Sequence, residues 1–137
     1  MPEKEAPETG EETILLVEDE TVVRQLVAEI LESNGYAVLQ AADGPSALEL
    51  LRRHSDPVEL LITDVVMPGM SGPEVAGAVA AMRPGTQVLY ISGYTDSAIG
   101  HHGVLEPGIA FLQKPFSADE LTRKVRGVLD GAAVSVE

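Results

Sequence analysis

Short apolar runs alternate along this chain with stretches of helical period, and that alternation restricts its possible folds more than any other property. The runs are Thr13–Val17 (TILLV), Tyr36–Ala41, Val58–Thr63, Gln87–Ile91 and Ile109–Gln113. TILLV is apolar on both faces, which suits a central parallel strand. Between the runs the period changes. From Thr21, the residues Val22, Val23, Leu26, Val27, Ile30 and Leu31 fall on one helical stripe that Asn34-Gly35 stops. A second helix runs from Pro45 to Arg53 on Ala47, Leu48 and Leu51, and a third begins at Pro73, repeats through Val75, Val79 and Met82, and ends at Arg83-Pro84-Gly85. The segment YTDSAIGHHGVLEPG has weak periodicity and internal glycines (Gly100, Gly103, Gly108), so a short or mobile fourth helix is expected there. Ser117, with Glu120 three residues on, is placed to cap a last helix built on Leu121, Val125, Val128 and Leu129. Five strands alternating with five helices predict an α/β domain whose parallel sheet is covered on both faces by right-handed crossovers.

A chain of 137 residues is long enough for one such domain and too short for two ordinary ones. Residues 1–12, rich in Glu and Pro, read as a disordered tail or linker, residues 13–130 as the domain, and residues 131–137 as a second tail. The hydrophobic fraction is 45% but only 4% is aromatic, so the core must come from Leu, Val, Ile and Ala. Nine basic residues against 22 acidic ones give a formal charge of -13, which opposes polyanions; neither nucleic acid nor an acidic membrane is expected as a direct ligand. There is no cysteine, hence no disulfide framework, thiolate metal site or thiol nucleophile. The start MPEKEAPETGEE lacks the positive and apolar regions of a secretory signal, and no apolar run approaches membrane-spanning length. A cytoplasmic protein is the expectation.

In open parallel sheets, ligands sit beyond the carboxyl ends of the strands. The groups there are Glu18 and Asp19 after the first strand, Asp64 after the third, Ser92 after the fourth and Lys114 after the fifth. Asp64 follows Leu60-Leu61-Ile62 just where Met67-Pro68-Gly69 forces a loop. Two carboxylates ~4 Å apart repel by ~4 kcal/mol at an effective dielectric of 20, so Asp19 and Asp64 need a cation between them. Lys114 offers one charge and a hard divalent ion offers two; Mg²⁺ suits a few carboxylates completed by water and phosphate. A carboxylate so placed can act as a nucleophile toward phosphorus, with Lys114 and the metal neutralising the transferring oxygens and Ser92 donating a hydroxyl. The constellation reads as a site for phosphorylating Asp64.

The acidic pair in LLVEDE, TDVVMPGMSG, ISGYTD and FLQKPF resemble, in this order and spacing, the receiver domains of two-component signalling, over roughly residues 13 to 130. The resemblance implies a flavodoxin-like doubly wound (βα)5 fold with strand order 2-1-3-4-5. It implies that Asp64 accepts a phosphoryl group from a phosphohistidine on a sensor histidine kinase or histidine phosphotransfer domain, within a phosphorelay whose downstream protein is unknown. It further implies Mg²⁺, for which Mn²⁺ can substitute, held by Asp19 directly, by Glu18 through water, by Asp64 and by the backbone carbonyl of Val66. Ser92 is similar to the switch hydroxyl, Lys114 to the lysine that contacts the phosphoryl group, Phe111 to the switch aromatic, and Lys114-Pro115 to a cis peptide bond. Such a domain is a phosphoacceptor that supports its own phosphorylation and dephosphorylation. The style of SGYTD, GVLEPG and FLQKPF resembles receivers appended to hybrid sensor histidine kinases.

Some positions depart from the commonest pattern. Glu18 stands where Asp is often found, and Phe111 lacks the hydroxyl of the frequent Tyr, so a switch there works by packing. Val66 and Tyr94 border the path of an attacking water, and their bulk is expected to slow loss of the phosphate. His54, His101 and His102 read as surface residues, Met67 and Met70 as loop packing. Lys114 also has a purely structural reading, as an ion-pair partner of Asp19. Two other functions fit a similar sheet: a degenerate receiver that only binds proteins, and an aspartyl phosphatase. The second normally needs an acid where Val66 stands, and the first would have lost the acceptor or the lysine.

Overall fold

The computed structural model describes residues 10–92 and 110–130. Its strands are β1 (Thr13–Val17), β2 (Ala37–Ala41), β3 (Leu60–Asp64), β4 (Gln87–Ser92) and β5 (Ala110–Gln113). The helices are α1 (Thr21–Ser33), α2 (Gly44–Arg53), α3 (Gly72–Met82) and α4 (Ala118–Asp130). All strand pairs are parallel, in the order β2-β1-β3-β4-β5. The helix expected between the last two strands, with Tyr94, His101 and His102, lies outside the described residues.

Successive side chains of a strand point to opposite faces, and here each face has its own core. Ile14, Leu16, Leu60, Ile62, Leu89 and Ile91 pack on one side with Val27 and Leu31 of α1 and Leu121, Val125 and Val128 of α4. Leu15, Val17, Leu61 and Tyr90 pack on the other with Ala47 and Leu51 of α2 and Val75 and Val79 of α3. β1 and β3 are covered on both faces, so their apolar residues run on consecutive positions, Ile14 to Val17 and Leu60 to Ile62, before the buried polar Thr63 and Asp64 at the end of β3.

The helix ends are built by local chemistry. At the end of α1, the amides of Gly35 and Tyr36 donate to the carbonyls of Glu32 at 3.1 Å and Leu31 at 3.2 Å. This closing turn needs the left-handed φ of 101° that Gly35 adopts. Ser71 and Glu74 form a reciprocal capping box on α3, and Asp43 caps α2 by accepting from the Ser46 amide at 2.8 Å. Ser117 behaves as its spacing predicts: its hydroxyl accepts from the Glu120 amide at 3.0 Å while its own amide donates to the Glu120 carboxylate at 2.8 Å.

One helical expectation is corrected. The α1 stripe is not buried as a unit, since Val22 is 78% and Leu26 55% exposed. At about 100° per residue, the face centred on Val27, Ala28 and Leu31 turns Val22 and Leu26 away from the sheet. Ala28, outside the apolar stripe as read from the sequence, takes a place on the buried side. His54, expected at the surface, is half-buried at the end of α2, with its Nε2 enclosed and making no hydrogen bond.

Candidate functional site

Parallel pairing brings the strand ends to one edge of the sheet. Val17 aligns with Thr63, so Glu18 emerges beside Asp64, the last residue of β3. Ser92 aligns with Gln113, and the Lys114 amide donates to the Ser92 carbonyl at 2.8 Å, carrying the lysine to the same edge. Lys114 and Pro115 are joined by a cis peptide bond, in accord with the resemblance.

Lys114 is the cationic centre of the edge. Its Nζ lies 3.1 Å from Glu18 Oε1, 3.1 Å from Asp64 Oδ2 and 3.3 Å from Glu20 Oε1. Its partners are thus Glu18, Asp64 and Glu20 rather than Asp19. Glu18 is fully buried and Asp64 nearly so, whereas Asp19 is exposed. Burial pushes the Glu18 carboxyl above the usual range, and the charge of Asp64 pushes it further. Burial also raises Asp64, with Lys114 opposing. For Lys114 itself burial acts to lower the pKa, but Asp64 and Glu18 outweigh it and the net shift is upward.

Oxygen atoms of Glu18, Asp19 and Asp64 lie within 4.8 Å of one another. Two of the buried carboxylate oxygens, Glu18 Oε1 and Asp64 Oδ1, make no hydrogen bond, and the contact of the former with Lys114 is an ion pair only. Buried carboxylate oxygens without donors are costly unless a cation is to be held there. Three carboxylates facing one ammonium also leave negative charge uncompensated. The donor set, all oxygen and anionic, therefore fits a hard divalent ion.

The backbone around Asp64 is tightly held. The Val65 amide donates to the Ile91 carbonyl at 3.0 Å, and the Gly72 amide to the Val65 carbonyl at 2.8 Å. A Cβ on Gly72 would stand 2.2 Å from the Asp64 carbonyl oxygen, so only glycine lets α3 start this close to Asp64. Met67 is buried and Met70 packs on the second core, as loop packing requires. Val66 is 44% exposed beside Asp64. Ser92 is fully buried at the end of β4, and Phe111, paired with Tyr90 one strand over, is half-buried against the α2–α3 side of the sheet.

The structure thus brings Glu18, Asp19, Asp64 and Lys114 into one cluster, with Ser92 at the same edge and Phe111 on the neighbouring strand. Sequence reasoning assigned no role to Glu20, Arg24 or Gly72. Arg24 Nη1 donates to the Glu18 carbonyl at 2.8 Å, fixing the turn between β1 and α1. Glu20 carried a signal in the acidic run EDE, and Gly72 in its place just before Pro73 at a helix start.

A family model for the response regulator receiver domain matches residues 14–126. The sensor kinase CckA of Brucella abortus is 36% identical over 93% of this chain, which spans 14% of that kinase. The response regulator receiver protein CpdR of the same organism is 33% identical over 87% of the chain and is covered to 98% of its own length. Among solved structures, the receiver domain of the hybrid histidine kinase CckA is 38% identical with a TM-score of 0.72, covering 85% of this chain and 98% of that one. The response regulator TrrA of Thermotoga maritima, solved in complex with Mg²⁺ and BeF, is 30% identical with a TM-score of 0.70, again over 85% of this chain and 98% of that one.

Proposed function

The chain belongs to the response regulator receiver domain family, and from that premise we propose that Asp64 is its phosphoacceptor, taking a phosphoryl group from a phosphohistidine of a sensor histidine kinase or histidine phosphotransfer domain. The observation that carries this reading is the pairing of Asp64 Oδ2 with Lys114 at 3.1 Å while Asp64 Oδ1 stays buried without a hydrogen bond. One oxygen is oriented by a fixed cation and the other is open to a metal or to phosphorus. Glu18, Asp19, Asp64 and the Val66 carbonyl would hold Mg²⁺, or Mn²⁺ in its place, which when bound neutralises charge on the transferring phosphoryl oxygens.

In the transfer, an Asp64 oxygen forms a bond to phosphorus as the bond to the donor's imidazole nitrogen breaks, leaving an acyl phosphate and a free histidine. Lys114 stays against the phosphoryl oxygens as their fixed counter-charge. Ser92 turns its hydroxyl toward another of those oxygens, and Phe111 repacks on the neighbouring strand. The switched surface then meets a downstream protein. We place the domain at residues 13–130, with 1–12 as a tail or linker whose last residue, Glu12, is tied to Arg126, 131–137 as a second tail, and its parent as a hybrid histidine kinase. The match to CckA, of which this chain spans 14%, supports that origin.

The test is intact-mass spectrometry after incubation with acetyl phosphate, with and without Mg²⁺, on the wild type and Asp64→Asn. One phosphoryl adduct, dependent on Mg²⁺ and absent from the variant, is expected. A folded wild type that takes no phosphate from acetyl phosphate or from a cognate kinase would leave a protein-binding module instead.

A further inference from the structure

We propose that Glu20 is a positioning residue for Lys114: it holds the ammonium at the rim of the site when Glu18, Asp19 and Asp64 take up their divalent ion. The inference rests on the phosphoacceptor reading and adds to it a residue outside the metal-binding acids. Lys114 Nζ touches three carboxylates, Glu18 and Asp64 at 3.1 Å and Glu20 at 3.3 Å. The ammonium donates hydrogen bonds to Asp64 and Glu20, while Glu18 is held by charge alone. Two of these partners are also metal-binding acids; Glu20 is not part of that group. Lys114 and a divalent ion therefore compete for Glu18, whereas Asp64 offers Oδ2 to the lysine and Oδ1 to the ion. Lys114 must give up Glu18 for the ion to enter, and among the described residues Glu20 is the partner outside the metal-binding acids that then holds it.

Glu20 is suited to this task and to no other evident one. It stands at the N-terminus of α1 yet makes no side-chain capping bond. Its amide donates to Glu18 Oε2 at 3.1 Å, which fixes its backbone beside the metal-binding acids. Its side chain is 63% exposed while that of Lys114 is 16% exposed, so the pair runs from the interior to the rim. Without Glu20, Lys114 would settle fully between Glu18 and Asp64 and oppose metal binding more strongly.

The experiment is a Mg²⁺ titration of the unphosphorylated protein, followed by NMR shifts of the β1–α1 turn. Exposed ion pairs of this kind correspond to roughly two- to fivefold effects, so Glu20→Gln is expected to weaken Mg²⁺ binding by about that factor. In a Lys114→Ala background the same change is expected to have much less effect, because no lysine is left to hold. Glu20→Asp keeps the charge but falls a methylene short of Lys114, so it is expected to weaken binding nearly as much as Glu20→Gln. Equal losses with and without Lys114, or wild-type affinity in Glu20→Asp, would reduce Glu20 to a bulk charge and overturn the proposal. A wild type with no Asp64-dependent Mg²⁺ binding would overturn the site reading along with it.

Discussion

The residues that define the site are in tension with folding. Glu18 and Asp64 are carboxylates in the interior, both raised in pKa by burial, with one lysine between them. A group whose charged form is disfavoured by its site destabilises the fold when ionised. Asp64→Asn removes one of these charges and keeps the shape. It is therefore expected to raise the melting temperature of the metal-free protein at neutral pH; an unchanged or lower value in calorimetry would mean that the pair with Lys114 outweighs the burial. Gly72→Ala acts in the opposite direction, because its Cβ would press on the Asp64 carbonyl at 2.2 Å. A loss of about 1–3 kcal/mol in urea unfolding is expected, together with slower phosphorylation as the acceptor shifts. Val66→Asn tests the exposed neighbour of Asp64: loss of the phosphate, followed by mass, is expected to speed up, and an unaltered half-life would clear Val66 of any shielding role. Asp64 and Lys114 were legible in the sequence because a short apolar strand fixes where its next residue emerges. Glu20 was not, since its contact depends on how the β1–α1 turn folds back across the sheet edge.

At the scale of elements, the sequence was most readable where two covered faces or a cap dictate residue type. β1 and β3 came through as continuous apolar runs, and α4 through Ser117 and Glu120. α1 was misread in part because an apolar stripe gives a direction only to within the width of the stripe, and Ala28 gave no signal in that pattern. The start of the domain shows another contact that pattern cannot supply. Arg126 of α4 binds Glu12 at 2.7 Å and Asp130 at 2.8 Å, and donates to the Tyr36 hydroxyl at 3.2 Å. Glu12, the last residue of the expected tail, is thus tied to the final helix. The hydrogen bond from Arg126 holds the Glu12 carboxyl below its ordinary value of 4.5. A depressed carboxylate contributes stability that is present above its unfolded pKa and is lost as pH falls through the folded one. Glu12→Gln is expected to cost about 0.5–1.5 kcal/mol at pH ~7. The two proteins should converge below the depressed pKa; a gap that persists undiminished in acid would trace the loss to packing instead of charge.

For the molecule as a whole, the proposed transfer would require a second protein to bring a phosphohistidine to an edge that bears strong negative charge. With a formal charge of -13, the chain repels acidic surfaces and favours a donor with basic residues around its histidine. Charge alone steers the encounter; close docking needs apolar contact as well. Among the described residues, the large hydrophobic residues found exposed are Val22, Leu26 and Val66, two on the first turns of the helix that follows Glu18 and Asp19 and one beside Asp64. Since Val22 and Leu26 contribute little to the core, replacing both with Glu is expected to leave folding intact while placing charge where a docked partner would need apolar surface. Transfer from a phosphohistidine donor is then expected to slow by roughly tenfold or more, the scale of losing a central interface contact. Labelling by acetyl phosphate, which needs only the Asp64 pocket, is expected to stay within about twofold, well under the ~1.4 kcal/mol of a tenfold change. Equal slowing with both donors would place the damage in the pocket, and no slowing with either would move the docking face elsewhere on the molecule.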